Sequence, residues 1–151
     1  MHRRMVVLAG LSMMLVAALV ACGGSSGGGE APSEEVALKV TGNVDNEMAW
    51  TEEQVRAMDT IEAERENNEG ELSTYTGVPV KALLDEAGVS DDATVVTFVA
   101  EDEYTAEVEL SELEACADCI VSFRNQGGFS TVMPGFSGKL QVKGVVEIQV
   151  D

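Results

Sequence analysis

The chain is 151 residues long and carries 27 Asp and Glu against nine Lys and Arg, a formal net charge of −18. A surface this acidic repels nucleic acid and anionic lipid and excludes both as ligands, while it suits high salt or a cationic partner. The single histidine is His2, ahead of any folded segment, so Ser-His-Asp and Cys-His catalysis and histidine-built metal sites are excluded for the domain that follows.

Arg3 and Arg4 form a positive n-region, and Met5 to Leu19 an uncharged apolar run. That run is too short to span a bilayer stably and meets glycine and serine at once, so residues 1–21 read as a signal peptide. Leu19-Val20-Ala21-Cys22 matches the lipobox of bacterial lipoproteins. Cys22 is then the thiol expected to take diacylglycerol and to become the first residue after cleavage. Arg3-Arg4 loosely resembles a twin-arginine export motif, but His2 stands where serine is usual, which favours Sec export. Residues 22–35, opening with Gly23-Gly24-Ser25-Ser26-Gly27-Gly28-Gly29, have the composition of a flexible tether. The expectation is an extracytoplasmic protein, lipid-anchored to a bacterial membrane. Processing leaves seven Lys and Arg against 27 Asp and Glu, a net charge of −20. Residues 36–151 suffice for one modest core and not for two domains.

Within that domain, Val36 to Gly42 alternates as a strand does and ends on glycine. Thr51-Glu52-Glu53-Gln54 is a capping box that predicts a helix to about Met58, with Trp50 as a core or staple residue before it. Thr60 to Arg65 and Glu71 to Thr76 read as strands joined by the turn Asn67 to Gly70, a hairpin. Gly77 to Gly88 is the best helix, with Pro79 in its first turn, Gly88 past its end, and Val80, Leu83, Leu84 and Ala87 on one buried face. Ala93 to Ala100 is a β-branched central strand. Glu101-Asp102-Glu103 turns into a strand from Tyr104 to Leu110, and Ser111 to Glu114 cap a short helix running into Cys116-Ala117-Asp118-Cys119. Ile120 to Arg124 and Phe129 to Met133 flank the hairpin signal Asn125-Gln126-Gly127-Gly128. Pro134 to Gly138 is a loop and Val145 to Val150 the last strand. The class is α+β, with more strand than helix.

Several segments, in order, resemble the molybdopterin-binding domain of sulfite-oxidase-type oxidoreductases. Thr76-Gly77-Val78-Pro79-Val80-Lys81-Ala82-Leu83-Leu84-Asp85-Glu86-Ala87-Gly88-Val89 is similar to its G-V-P-L-x-x-L-L-x-x-A-G-V signature. Val96 to Thr105 resembles its strand followed by D-G-Y-S/T, Met133-Pro134-Gly135 its V-P-G, and Gln141 to Ile148 its V-K-W-L-x-x-I. The resemblance covers nearly all of residues 38–150 and implies that family's mixed, mostly β fold with short helices. It also implies a cofactor, but the chain departs from the motifs that hold one. The family ligates molybdenum through a cysteine in a C-x-G-N-x-R segment just before the G-V-P helix, and Arg65 to Leu72 contains no cysteine and is acidic. Only Lys143 matches a cofactor-contacting position, and its tryptophan neighbour is replaced by Gly144.

Cys116 and Cys119 are the only thiols besides Cys22. Haem attachment needs histidine after the second cysteine, and Ile120 stands there; zinc or iron–sulfur sites need more ligands than this pair offers. Outside the cytoplasm a disulfide is expected. It reads either as a local staple or as a redox couple. Redox pairs sit at helix N-termini; here Cys116 follows a helix, near Glu112, Glu114 and Asp118, and both effects raise the thiol pKa, which favours the staple. Glu101 to Glu103 lack the spaced ligands of a calcium loop and read as a solvated turn. Tyr75, Tyr104, Phe129 and Phe136 are candidate linings of a cleft near the family's cofactor position, or core.

The expected function is an accessory or binding module: a retained framework without the family's chemistry, taking a small ligand or a redox partner protein. No cofactor is expected from the residues, and molybdopterin enters only through the resemblance. The alternative is an active oxidoreductase using molybdopterin or the Cys116–Cys119 pair. A solute-binding lipoprotein is disfavoured, since those proteins close two lobes around a ligand.

Overall fold

The computed structural model describes residues 35–67 and 69–151. The expected signal peptide, Cys22 and the expected tether up to residue 34 lie outside the described residues. Nine strands run as β1 (Val36–Gly42), β2 (Met48–Thr51), β3 (Ile61–Glu66), β4 (Leu72–Pro79), β5 (Val95–Ala100), β6 (Thr105–Glu109), β7 (Ile120–Phe123), β8 (Phe129–Val132) and β9 (Lys143–Val150). Three short helices are α1 (Glu52–Arg56), α2 (Val80–Ala87) and α3 (Leu110–Glu114). The α+β, mostly β expectation holds.

The strands form one mixed sheet in the order β2-β1-β9-β8-β7-β4-β3, with β5 joining β9 and β6 joining β5. The last strand is the hub: β9 pairs in parallel with β1 and antiparallel with both β5 and β8. The main core gathers Leu38, Trp50, Val78, Leu83, Phe98, Val121, Phe129 and Ile148, among others, and a smaller one holds Ala63, Ile120 and Val132 with Ile61 and Tyr75. Consecutive residues Cys119 and Ile120 fall in different cores, because side chains alternate between faces along a strand.

The helices form as their sequences dictate, with two corrections. Thr51 caps α1: its hydroxyl accepts from Gln54 N and the Gln54 side chain accepts from Thr51 N, the full capping box. In α2 the expected face is the buried one, Val80, Leu83, Leu84 and Ala87, and Gly88 closes the helix in the left-handed conformation. Pro79, however, precedes the first helical turn as the last residue of β4. That strand continues through Gly77, where any Cβ would collide with the Val121 carbonyl, so glycine is what permits the β4–β7 pairing. Ser111 does not cap α3; the cap is Glu109, without a side-chain bond. Neither α2 nor α3 needs one, since Val80 N donates to Cys119 O at 2.9 Å and Leu110 N to Thr94 O at 2.9 Å. A strand the sequence does not announce, β2, carries Trp50 opposite Leu38, with the indole 5% exposed in the core.

Candidate functional site

Two places combine candidate residues with accessible geometry. The first is the Cys116–Cys119 corner. The two cysteines form a disulfide with Cα atoms 5.5 Å apart. Cys116 N donates to Leu113 O at 3.1 Å, so the pair leaves the C-terminal end of α3, as the sequence implies. Cys119 is 1% exposed and its carbonyl receives the first amide of α2, while Cys116 is half-buried against the main core. The bridge therefore joins α3 to the start of β7 and to the base of α2.

The second is an open groove of about 630 Å³ lined by Thr74, Tyr75, Thr76, Phe123, Arg124, Asn125 and Gln126. It exists because β4 outruns its neighbour. β7 pairs with Gly77, Val78 and Pro79 only, then turns into the β7–β8 loop, which leaves Leu72 to Thr76 without a partner on that side. The volume lies within the range of small-molecule sites. Its lining offers hydroxyls, amides, two aromatic rings and one guanidinium.

The rim is a set of carboxylate–guanidinium pairs. Arg124 Nη1 lies 3.3 Å from Glu101 Oε1. Arg56 Nη2 lies 2.7 Å from Glu52 Oε1, and its guanidinium carbon sits 4.6 Å above the centre of the Phe123 ring. The other Glu52 oxygen accepts from Gly128 N at 3.0 Å and so ties the β7–β8 loop to α1. That backbone donor first, and then Arg56, hold the Glu52 carboxyl below its ordinary range. Phe129 lies fully buried beneath, 6.2 Å from Phe123 between ring centres.

Of the sequence candidates, Tyr75 lines the groove. Phe129 is core, Phe136 packs half-buried against the core, and Tyr104 is exposed with its hydroxyl donating to Lys139 O at 3.0 Å. Lys143 is exposed at the start of β9 opposite Ser130 and is not among the groove's lining. Gly144 lies next to it at φ 71°, against the Glu101 side chain. Arg124, Asn125, Gln126 and the Glu52–Arg56 pair are the residues sequence reading missed. Asn125 and Gln126 sat inside a hairpin signal and Arg124 at the end of the strand before it, and only a fold places them opposite Thr74 to Thr76.

The residues present do not fit the molybdopterin that the resemblance implies. Cys116 and Cys119 are bonded to each other, and the segment expected to hold a ligand cysteine is the tip of the β3–β4 hairpin. Asn67 fastens that tip by accepting from Glu69 N and Glu71 N, both at 2.9 Å, and it exposes Glu66, Glu69 and Glu71. Such a tip repels a pterin phosphate. Among the described residues no three His, Cys, Asp or Glu side chains converge as a metal site would require.

The family model described as the oxidoreductase molybdopterin binding domain matches residues 62–151. Among solved structures, the sulfane dehydrogenase SoxCD from Paracoccus pantotrophus shares the fold with a TM-score of 0.64 at 19% identity, over 83% of this chain and 40% of that one. The chain thus spans less than half the length of that structure. No curated protein matches it.

Proposed function

This chain belongs to the oxidoreductase molybdopterin-binding domain family, and from that premise we propose that it serves as a non-catalytic accessory lipoprotein. It is held on the outer side of a bacterial membrane through Cys22, and it binds a small ligand or a redox partner protein in the groove beside Arg124. The observation that carries this reading is the donor set: the family's frame with no free cysteine at the hairpin tip, and both rim arginines already paired with carboxylates. Protein isolated from its native membrane and denatured should release no pterin fluorescence. Pterin released in proportion to the chain would overturn the reading. For the anchor, Cys22→Ala should move the protein from the membrane to the soluble fraction; unchanged membrane association would remove the lipid from the proposal.

A second reading rests on Cys116, the half-buried member of the disulfide, whose sulfur is the one a partner dithiol would attack once the corner opens. Equilibration against glutathione buffers separates the two. A potential below about −300 mV marks a structural bridge, and a higher one marks an exchanging couple.

A further inference from the structure

Resting on the groove reading above, we infer that Glu101 acts as a built-in counter-charge that closes the groove to anions and leaves it for an uncharged, hydrogen-bonding ligand. Arg124 is the one charged residue in the lining. With hydroxyls of Thr74 and Thr76 and the amides of Asn125 and Gln126 around it, an unpaired guanidinium would make this groove an anion site. Glu101 prevents that from outside the lining, with its Oε1 3.3 Å from Arg124 Nη1.

The placement of Glu101 has a visible cause. Glu101 N donates to Gly144 O at 2.8 Å, which fixes the backbone of the turn against β9. Its side chain then lies over Gly144, where a Cβ would stand 2.6 Å from Oε1 and 3.0 Å from both Cγ and Cδ. Any residue larger than glycine at 144 would push the carboxylate away, and the positive φ of 71° disfavours such a residue independently. The resemblance places tryptophan at this position. Glycine there opens the space from which a carboxylate reaches Arg124. The neighbouring arginine is treated alike, since Arg56 is held by Glu52. With both guanidiniums at the rim neutralised, what remains for a ligand is hydroxyl and amide hydrogen bonding.

The test uses the full-length lipoprotein in nonionic detergent, with inorganic sulfate as the probe at constant ionic strength. Amide resonances of Asn125 to Gly128 report on the groove. Wild type should show no saturable change. Glu101→Gln should bind sulfate at least about tenfold more tightly, the effect of removing one like charge close to the ligand at the dielectric of a surface cleft. Glu101→Gln combined with Arg124→Gln should lose that gain. Sulfate bound by wild type as tightly as by Glu101→Gln, or a gain that survives Arg124→Gln, would overturn the role given to Glu101. Either result leaves the pterin measurement standing, so the two readings fail separately.

Discussion

At the Cys116–Cys119 corner the most reactive-looking atoms of the sequence are packed: Cys119 is 1% exposed and sits on the seam between the two cores. At the groove the atoms are open to solvent but belong to residues that form no motif: threonines, amides and an arginine already paired. The contrast teaches that a motif names a chemistry, whereas exposure and local charge decide whether the chemistry is available. The cysteines are available only if the corner opens. Arg124 is available only if Glu101 leaves.

The largest effect should come from beneath the groove. Phe129→Ala removes a fully buried ring that supports the β7–β8 loop, and urea unfolding should show a loss of about 3–5 kcal/mol. A loss under about 1 kcal/mol would mean that the loop is held from its rim and not from its floor. Next, Cys116→Ala with Cys119→Ala should cost only about 2 kcal/mol, as a loop this short restrains the unfolded chain little. A cost as large as that of Phe129→Ala would reverse the ranking of the two regions.

A smaller effect of opposite sign is expected at Glu103. Its φ of 67° is the left-handed region, at the place where the resemblance has glycine. Glu103→Gly should raise stability by about 1 kcal/mol, and no gain would show that the turn relieves the strain without it. The smallest effect belongs to Glu52. Its carboxyl is held below the ordinary value of 4.5, chiefly by the Gly128 amide and then by Arg56. Its contribution is therefore fully present above that value and is lost as pH falls through the lowered pKa. Glu52→Gln should cost about 0.5 kcal/mol at neutral pH, since solvent screens the Arg56 pair, and nothing in acid below that pKa. An equal loss at both pH values would show that the carboxylate charge is irrelevant to the clasp on Gly128.

Much of the fold was legible because its determinants are local. The Thr51–Gln54 capping box, the buried stripe of α2 and the turn at Asn67 each depend on residues within a few positions. What escaped depends on distant partners. Strand β2 is four residues long and is a strand because β1 pairs with it. Gly77 and Pro79 read as punctuation, yet both belong to β4 because β7 approaches there. Leu110 begins α3 without a cap because Thr94 supplies the carbonyl. The candidate site was the least legible part. Glu101 and Arg124 are 23 positions apart, and Glu52 and Gly128 are 76 apart. No spacing rule connects such pairs. The resemblance did mark the position of Gly144, and a glycine in place of a tryptophan was the one signal pointing to this rim.

As proposed, this domain keeps the family's frame without its metal chemistry. Counting molybdenum, by mass spectrometry, in protein isolated from its native membrane tests this most directly. Molybdenum should lie far below the amount of chain. Molybdenum in equal amount to the chain would contradict the proposal.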